Sequence, residues 1–196
     1  MRPSADSVAR LESEYHAQVD SARRRFTEAD VAFMTGMISH HGQALVMAAL
    51  IPDRTQTQSI RTLGARIINA QRDEISLMQQ WLRERGLPAP TPDPTGGMAS
   101  MPGMANMPGM DHGMLMPGML TPAQLDQLRQ ARGPAFDRMF ITFMIQHHTG
   151  AITMVDSLIN TPGSAQEETV FRLASGVRVD QTTEINRMKL MLQALQ

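Results

Sequence analysis

The sequence FMTGMISHHGQA at residues 33–44 recurs as FITFMIQHHTGA at residues 140–151. Each copy places a Met three residues before a His-His pair and is followed by a further Met, at position 47 or 154. The Phe, the first Met, the first His, the Ala and the last Met are spaced by 4, 3, 4 and 3 residues, which aligns them on one face of an α-helix. The repeat therefore predicts two equivalent helices, near residues 28–51 and 135–160, with His40 and His147 pointing inward and His41 and His148 nearer an edge.

Each of these helices is followed by a second segment with one apolar face, near residues 54–86 and 165–195. No strand pattern competes in either copy, so each copy reads as a helical hairpin. Two hairpins with complementary apolar faces bury them best against each other, which predicts an all-α four-helix bundle in a single domain. The second segments match at an offset of 110 residues through Ile60, Leu63, Ile67, Gln71, Glu74, Met78 and Trp81 in one copy and Val170, Leu173, Val177, Gln181, Glu184, Met188 and Met191 in the other.

Three further segments complete the predicted organisation. Apolar residues spaced by three and four predict an amphipathic helix at 5–25 that packs on the outside of the bundle. Thr121-Pro122 predicts an N-cap and first turn for a short helix that ends near residue 132 and precedes the second hairpin of the segment 121–195. Residues 88–120 are rich in Pro, Gly and Met and have no periodic apolar face, so we expect a mobile crossover between the hairpins.

Composition excludes several classes of protein. The chain has 196 residues and a net charge of -1, which argues against a nucleic-acid or anionic-membrane partner. It has no apolar run of the roughly 20 residues that span a bilayer, and no Cys for disulfides, zinc thiolates or iron–sulfur clusters. Polar sequence follows Met1-Arg2-Pro3, without the apolar segment of a signal peptide, so either a cytosolic protein or the mature form of an exported one is expected.

The duplicated His-His pairs, framed by Met, predict a metal site. Imidazole nitrogen combined with thioether sulfur suits copper, and the soft sulfur favours Cu(I). A His on an apolar face is more often a hydrogen-bonded core residue, and a Met stripe is more often plain packing. The recurrence of the whole pattern nevertheless favours the metal, with the candidate ligands Met37, His40, His41, Met47, Met144, His147, His148 and Met154.

Six other residues are candidates for supporting the metal. Glu74 and Glu184 share the inward faces of the partner helices, where a carboxylate could ligate, accept the second ring N–H of a ligand His, or simply lie at the bundle edge. Asp30 and Asp137 lie three turns before the His pairs and could serve the helix starts or reach another helix. Met78 and Met188 complete this set one turn beyond the two Glu residues.

The crossover has Met at every third position over part of its length. Flexible thioethers gather around Cu(I) easily, because soft sulfur needs little geometric order. The alternative is a low-complexity linker whose Met side chains pack against the bundle. The candidates for Cu(I) capture are Met98, Met101, Met104, Met107, Met110, His112, Met114, Met116 and Met119.

The pattern Met-Ile-x-His-His-x-x-Ala-x-x-Met, with Gln-x-x-Glu-Ile-x-x-Met about 30 residues later, resembles the domain of unknown function family 305. The resemblance covers about residues 28–85 and 121–195 in two tandem copies. It implies a ferritin-like bundle, usually exported in bacteria, with some members that bind copper and support copper tolerance. The crossover is similar to the Met motifs of periplasmic copper-resistance proteins. A periplasmic or secreted location, and a copper chaperone or exporter as partner, are expected by this analogy.

Three functions compete at this point. The first is a protein that sequesters or transfers Cu(I) or Cu(II). The second is a ferritin-like di-metal oxidase, although that chemistry uses Glu-x-x-His motifs and the chain has none. The third is a structural helical module without metal. Copper content separates the first from the third, and dioxygen consumption with a reductant separates the first from the second.

Overall fold

The chain folds into α-helices throughout the parts that its computed structural model describes, residues 8–16, 25–93 and 115–195. No β-strand occurs within these ranges. The helices are α1 at 8–16, α2 at Glu28–Ala49, α3 at Ile51–Arg54, α4 at Gln58–Glu84, α5 at Pro122–Gln130, α6 at Gly133–Ile159 and α7 at Glu168–Ala194.

Four long helices form the bundle. Helix α2 packs on α4 and helix α6 packs on α7, which makes two hairpins, and the hairpins meet mainly through α2 and α6. This arrangement confirms the predicted all-α, ferritin-like fold. Helix boundaries differ slightly from the prediction at two prolines. Pro52 lies in the first turn of α3, and Pro134 lies in the first turn of α6, where the missing N–H of proline costs nothing.

Two separate apolar clusters stabilise the two ends of the bundle. One joins the N-terminal half of α2 and the C-terminal half of α4 to the C-terminal half of α6 and the N-terminal half of α7. The other joins the opposite halves of the same helices and adds α5. The pairing of halves means that α2 and α6 run antiparallel. The His-His pairs lie where the two clusters meet, so a polar layer crosses the middle of the bundle.

Two buried Asp residues tie each hairpin to the turn of the other. Asp30 closes the capping box of α2 with Thr27, as predicted, and its Oδ1 also accepts the backbone N–H of Ala165 in the α6–α7 turn at 2.7 Å. Asp137 accepts the hydroxyl of Thr57, in the α3–α4 turn, at 2.5 Å. Both Asp residues therefore reach a turn of the other hairpin, where the prediction had offered their own helix start or another helix. Their carboxylates are engaged about three turns from the His pairs and not beside them.

The ends of the crossover pack tightly on the bundle. A Cβ on Gly42 would lie 2.7 Å from the Cβ of Pro92, and one on Gly150 would lie 1.9 Å from the carbonyl oxygen of Pro117. The amide of Gln43 donates to the carbonyl of Leu120 and accepts its N–H, at 3.1 and 2.7 Å. The predicted mobility of the crossover is therefore wrong for residues 115–120. Backbone contacts at small residues hold this end of the crossover against the bundle.

The described part of the N-terminal helix does not support its predicted packing. Residues 8–16 are helical but all exposed, including Val8, Leu11 and Tyr15 of the predicted apolar stripe. The remainder of the predicted helix at 5–25 lies largely outside the described residues. Among the described helices, none combines the length and the apolar character needed to cross a bilayer.

We predict that Gly150→Ala lowers the free energy of unfolding by about 1–3 kcal/mol, because the new methyl group overlaps the backbone at Pro117. Gly176→Ala is the matched control, since a Cβ at this position in α7 meets no atom within 4 Å. That control should raise the stability by up to about 1 kcal/mol through helix propensity. Urea denaturation of both variants measures the two changes in the free energy of unfolding. Equal changes would contradict the close contact between the crossover and α6.

Candidate metal centre

Four buried imidazoles form the centre of the polar layer. The side chains of His40, His41, His147 and His148 have no exposed surface. The predicted distinction between an inward and an edge pair is therefore wrong as a difference in burial. The two pairs differ instead in their partners, because the rings of His40 and His147 lie against each other with centroids 3.9 Å apart, while His41 and His148 contact Glu residues of the partner helices.

Every imidazole donates its Nε2–H to an oxygen acceptor. His41 donates to Glu74 and His148 donates to Glu184, both at 2.7 Å, so the same contact recurs in the two hairpins. Glu74 and Glu184 thus accept a ring N–H, and their predicted support of a metal-binding His stays a prediction. The inner pair differs, because His147 donates to the carbonyl of His40 at 3.0 Å, whereas His40 donates to the carbonyl of Pro117 at 2.9 Å.

These acceptors place a proton on Nε2 of every ring. Carbonyl and carboxylate oxygens only accept, so Nε2 is the donor, and in a neutral ring the lone pair then lies on Nδ1. All four Nδ1 atoms are buried without a hydrogen-bond partner from the described residues. The amide groups of Gln71 and Gln181, predicted to face inward, are equally buried and have no partner among these residues. An unsatisfied buried polar group costs about 1–3 kcal/mol, so any partner that satisfied these atoms would stabilise the layer.

Burial keeps the inner rings uncharged. It lowers the pKa of His40 from about 6.5 to about 3, helped by the charge that His41 would carry. Burial likewise holds the pKa of His147 well below its ordinary value, with His40 as the next cause. Both rings are therefore neutral at pH 7, which is the form that coordinates a metal.

Carboxylates border the layer between α4 and α7. The side chains of Glu74 and Glu184 are 18% and 16% exposed, so they connect the buried His residues with solvent. Burial raises the pKa of Asp180, and the charges of Glu74 and Glu184 raise it further. The carboxylates of Glu74 and Glu184 thus lie close enough to that of Asp180 to repel it, beside the rings of His41 and His148. A bound cation would relieve this repulsion.

Thioethers lie on both sides of the layer. Met37 precedes His40 by one turn and belongs to one apolar cluster, while Met144 precedes His147 by one turn and belongs to the other. Both side chains are fully buried. The remaining bundle candidates divide between the clusters, with Met78 in the first, Met47 and Met188 in the second, and Met154 partly buried at the side of the first.

Only two of the candidate Cu(I) ligands in the crossover lie within the described residues. Met98, Met101, Met104, Met107, Met110, His112 and Met114 lie outside the described residues. Met116 and Met119 are buried and pack with Met154. Sequence reasoning did not single out Pro117 or Asp180. A backbone carbonyl and a carboxylate brought in by tertiary packing leave no local pattern that could have revealed them.

No three His, Asp or Glu side chains in the described ranges are arranged to hold one metal ion together. This arrangement differs from a structural zinc site, which takes four N, S or O ligands.

The fold and the buried His layer place the protein among ferritin-like helical bundles. It belongs to the family described as domain of unknown function DUF305, whose model matches residues 30–192. A curated relative, the uncharacterized protein L153 of Acanthamoeba polyphaga mimivirus, is 40% identical over 58 residues, which is 30% of this chain and 38% of that protein.

Several solved structures have the same fold and match most of this chain. A DUF305 fragment from Deinococcus radiodurans is 30% identical, with a TM-score of 0.68 over 86% of this chain and 98% of that one. A DUF305 protein from Streptomyces coelicolor, described as a candidate secreted protein, is 27% identical, with a TM-score of 0.69 over 85% and 93%. CopM in its Cu(II)-bound form is 29% identical, with a TM-score of 0.62 over 85% and 97%, and similar structures of CopM contain Cu(I) or silver.

We predict that the metal-free protein loses stability as the pH falls from about 6.5 towards 3. The pKa of His40 is lower in the folded state, so the unfolded chain binds protons first in this range. His147 adds to the effect in the same direction. Each of these two buried rings contributes a slope of about 1.4 kcal/mol per pH unit.

Urea denaturation at several pH values measures this slope. The double variant His40→Gln, His147→Gln keeps an amide N–H near each Nε2 position but does not titrate. Its unfolding should therefore take up about two fewer protons than that of the wild type, and the slope of stability against pH should be smaller accordingly. A double variant with the slope of the wild type would contradict neutral burial of the inner rings.

Proposed function

We propose that this protein binds copper ions in the His layer and sequesters or transfers them. The observation that carries the proposal is the set of four buried Nδ1 atoms without a partner among the described residues, each on a ring whose Nε2–H is already engaged. A water molecule would satisfy such atoms only by donating, whereas a metal ion accepts the lone pair directly. The copper-bound and silver-bound structures of the related CopM support this choice of metal.

The residues of the layer would divide the work of binding. His40, His41, His147 and His148 are the nitrogen ligands, acting in small sets, and Met37 and Met144 are the nearest thioethers along their helices. Glu74 and Glu184 would orient the outer rings and raise their basicity through the Nε2–H bonds. Together with Asp180 they would also draw cations towards the layer, because three carboxylates lie close together on that side.

The proposed setting of this function is outside the cytoplasm. The Streptomyces coelicolor protein of the same family, described as a candidate secreted protein, supports such a location. Thioether ligands tolerate an oxidising environment better than thiolates, and the chain has no Cys. A copper chaperone or exporter as delivery partner, and a contribution to copper tolerance, belong to the same proposal. So does additional Cu(I) capture by the Met residues of the crossover.

We predict that His→Gln at positions 41 and 148 removes a class of tightly bound copper. Gln keeps a donor towards Glu74 and Glu184 but supplies no Nδ1 lone pair, so the fold should survive while the ligands are lost. Cu(I) titration against a competing chelator gives the stoichiometry, and the nitrogen splitting in the Cu(II) electron paramagnetic resonance spectrum reports imidazole directly.

The matched control is His16→Gln, which changes an exposed His on α1. It should leave both measurements unchanged. If the variant at positions 41 and 148 and the corresponding variant at 40 and 147 both retain full stoichiometry, the layer is core packing and the proposal fails.

We further predict that Glu74→Gln combined with Glu184→Gln weakens copper binding about 10- to 100-fold without changing its stoichiometry. The amide still accepts the ring N–H but no longer raises the basicity of the imidazole or attracts the cation. Glu168→Gln is the control, because Glu168 lines the same cleft as Glu74 but its side chain is 81% exposed. Equal affinities for the two variants would rule out a supporting role for the His-Glu pairs.

A further inference from the structure

A groove between α2 and α6 ends at the crossover. Its volume is about 350 Å³, and its walls include Phe33 and Gly36 from α2, Met154 and Ser157 from α6, and Met116 and Pro117 from the crossover. None of the described residues that line it is charged. The groove therefore offers thioether sulfur in mostly apolar surroundings, with hydroxyl groups but no carboxylate among these residues.

Two Met residues, Met116 and Met154, line this groove, and Met119 packs beside them. Met116 and Met119 are buried in a small cluster of their own, separate from the two apolar clusters of the bundle, and Met154 packs against them from α6. The three residues come from two parts of the chain that are far apart in sequence. Only the docking of the crossover brings their side chains together.

The two copies of the sequence repeat differ at this point. Met47, the counterpart of Met154, is fully buried in an apolar cluster with Phe136 and Phe140. Met154 is only partly buried and faces the groove. The thioether of Met154 is therefore accessible from the groove, whereas that of Met47 is not.

The crossover is held at the groove by contacts that do not involve its Met residues. Gly118 and Gly150 allow the two backbones to touch, and Gln43 fixes Leu120 through two hydrogen bonds. Met116 and Met119 are thereby positioned beside Met154 in advance of any ligand. Such preorganisation lowers the entropic cost of gathering three flexible side chains around an ion.

We propose that Met116, Met119 and Met154 form a second metal site, an all-thioether site for a soft monovalent cation such as Cu(I) or Ag(I). It lies next to the His layer, because the carbonyl of Pro117 accepts the Nε2–H of His40. The site would therefore receive Cu(I) at the groove before the ion passes to the imidazoles. Its role in transfer rests on the proposed function, whereas its binding of a soft cation does not.

The test uses the full-length protein labelled with 13C at the Met methyl groups and titrated with Ag(I), which is redox-stable. The single variants Met116→Leu, Met119→Leu and Met154→Leu assign the three signals. We expect these signals to shift together over the same range of added silver. Met139 and Met191, which pack on the opposite cluster, should give signals that do not follow this titration.

Met154→Leu then separates coordination from packing. Leu fills nearly the same volume, and such exchanges usually cost less than about 1.5 kcal/mol of stability. The Met116 and Met119 signals should keep their positions without silver but lose their joint shift with silver. Met139→Leu, on the same helix, should leave the joint shift intact.

Two results would overturn the inference. One is that the chemical shifts of the three Met signals do not change while silver saturates the rest of the protein. The other is that the Met116 and Met119 signals shift as much with silver in the Met154→Leu variant as in the wild type. Failure of the proposed function looks different, because the His variants would then retain full copper stoichiometry whatever the Met signals do. Thermal melts of each Leu variant confirm that loss of the shift does not reflect unfolding.

Discussion

The burial of four imidazoles in one layer is the constraint on which the rest of the structure depends. Each ring must donate its Nε2–H to an acceptor, because an unpaired buried donor would cost about as much as a typical core mutation. Two rings use Glu residues on the partner helices, which sets the register of α4 against α2 and of α7 against α6. The inner two use backbone carbonyls, which sets α6 against α2 and brings the crossover onto His40.

Each ring of this layer has one nitrogen with a hydrogen-bond partner and one without. Hydrogen bonds occupy Nε2, and the apolar clusters above and below exclude solvent from much of the surroundings of Nδ1. Burial also keeps the inner rings neutral, since a charged imidazole would lose its hydration without gaining a counterion. An unsatisfied buried polar atom costs about 1–3 kcal/mol, so the layer lowers the stability of the protein as long as the Nδ1 atoms have no partner.

The two hairpins repeat the outer His-Glu contacts but not the inner ones. By strict symmetry, His40 would donate to the carbonyl of His147, but the crossover supplies Pro117 instead. The same segment covers Met154, while Met47 stays in the core. A duplicated sequence therefore gives an asymmetric centre, because a single crossover can dock on only one of two equivalent surfaces.

The sequence by itself determined the helices, the hairpins and the inward positions of His40, His147, Gln71, Gln181 and Trp81. Helical periodicity is a local property, and the repetition of the pattern strengthened each assignment. The full burial of His41 and His148 was not predicted, because it depends on the partner helices. Only the tertiary structure showed that Glu74 and Glu184 accept a ring N–H and that Asp30 and Asp137 reach the other hairpin. It alone also showed Pro117 as the partner of His40 and the meeting of Met154 with Met116. Such contacts depend on how separate helices and the crossover dock in three dimensions, which the spacing of residues within one helix does not specify.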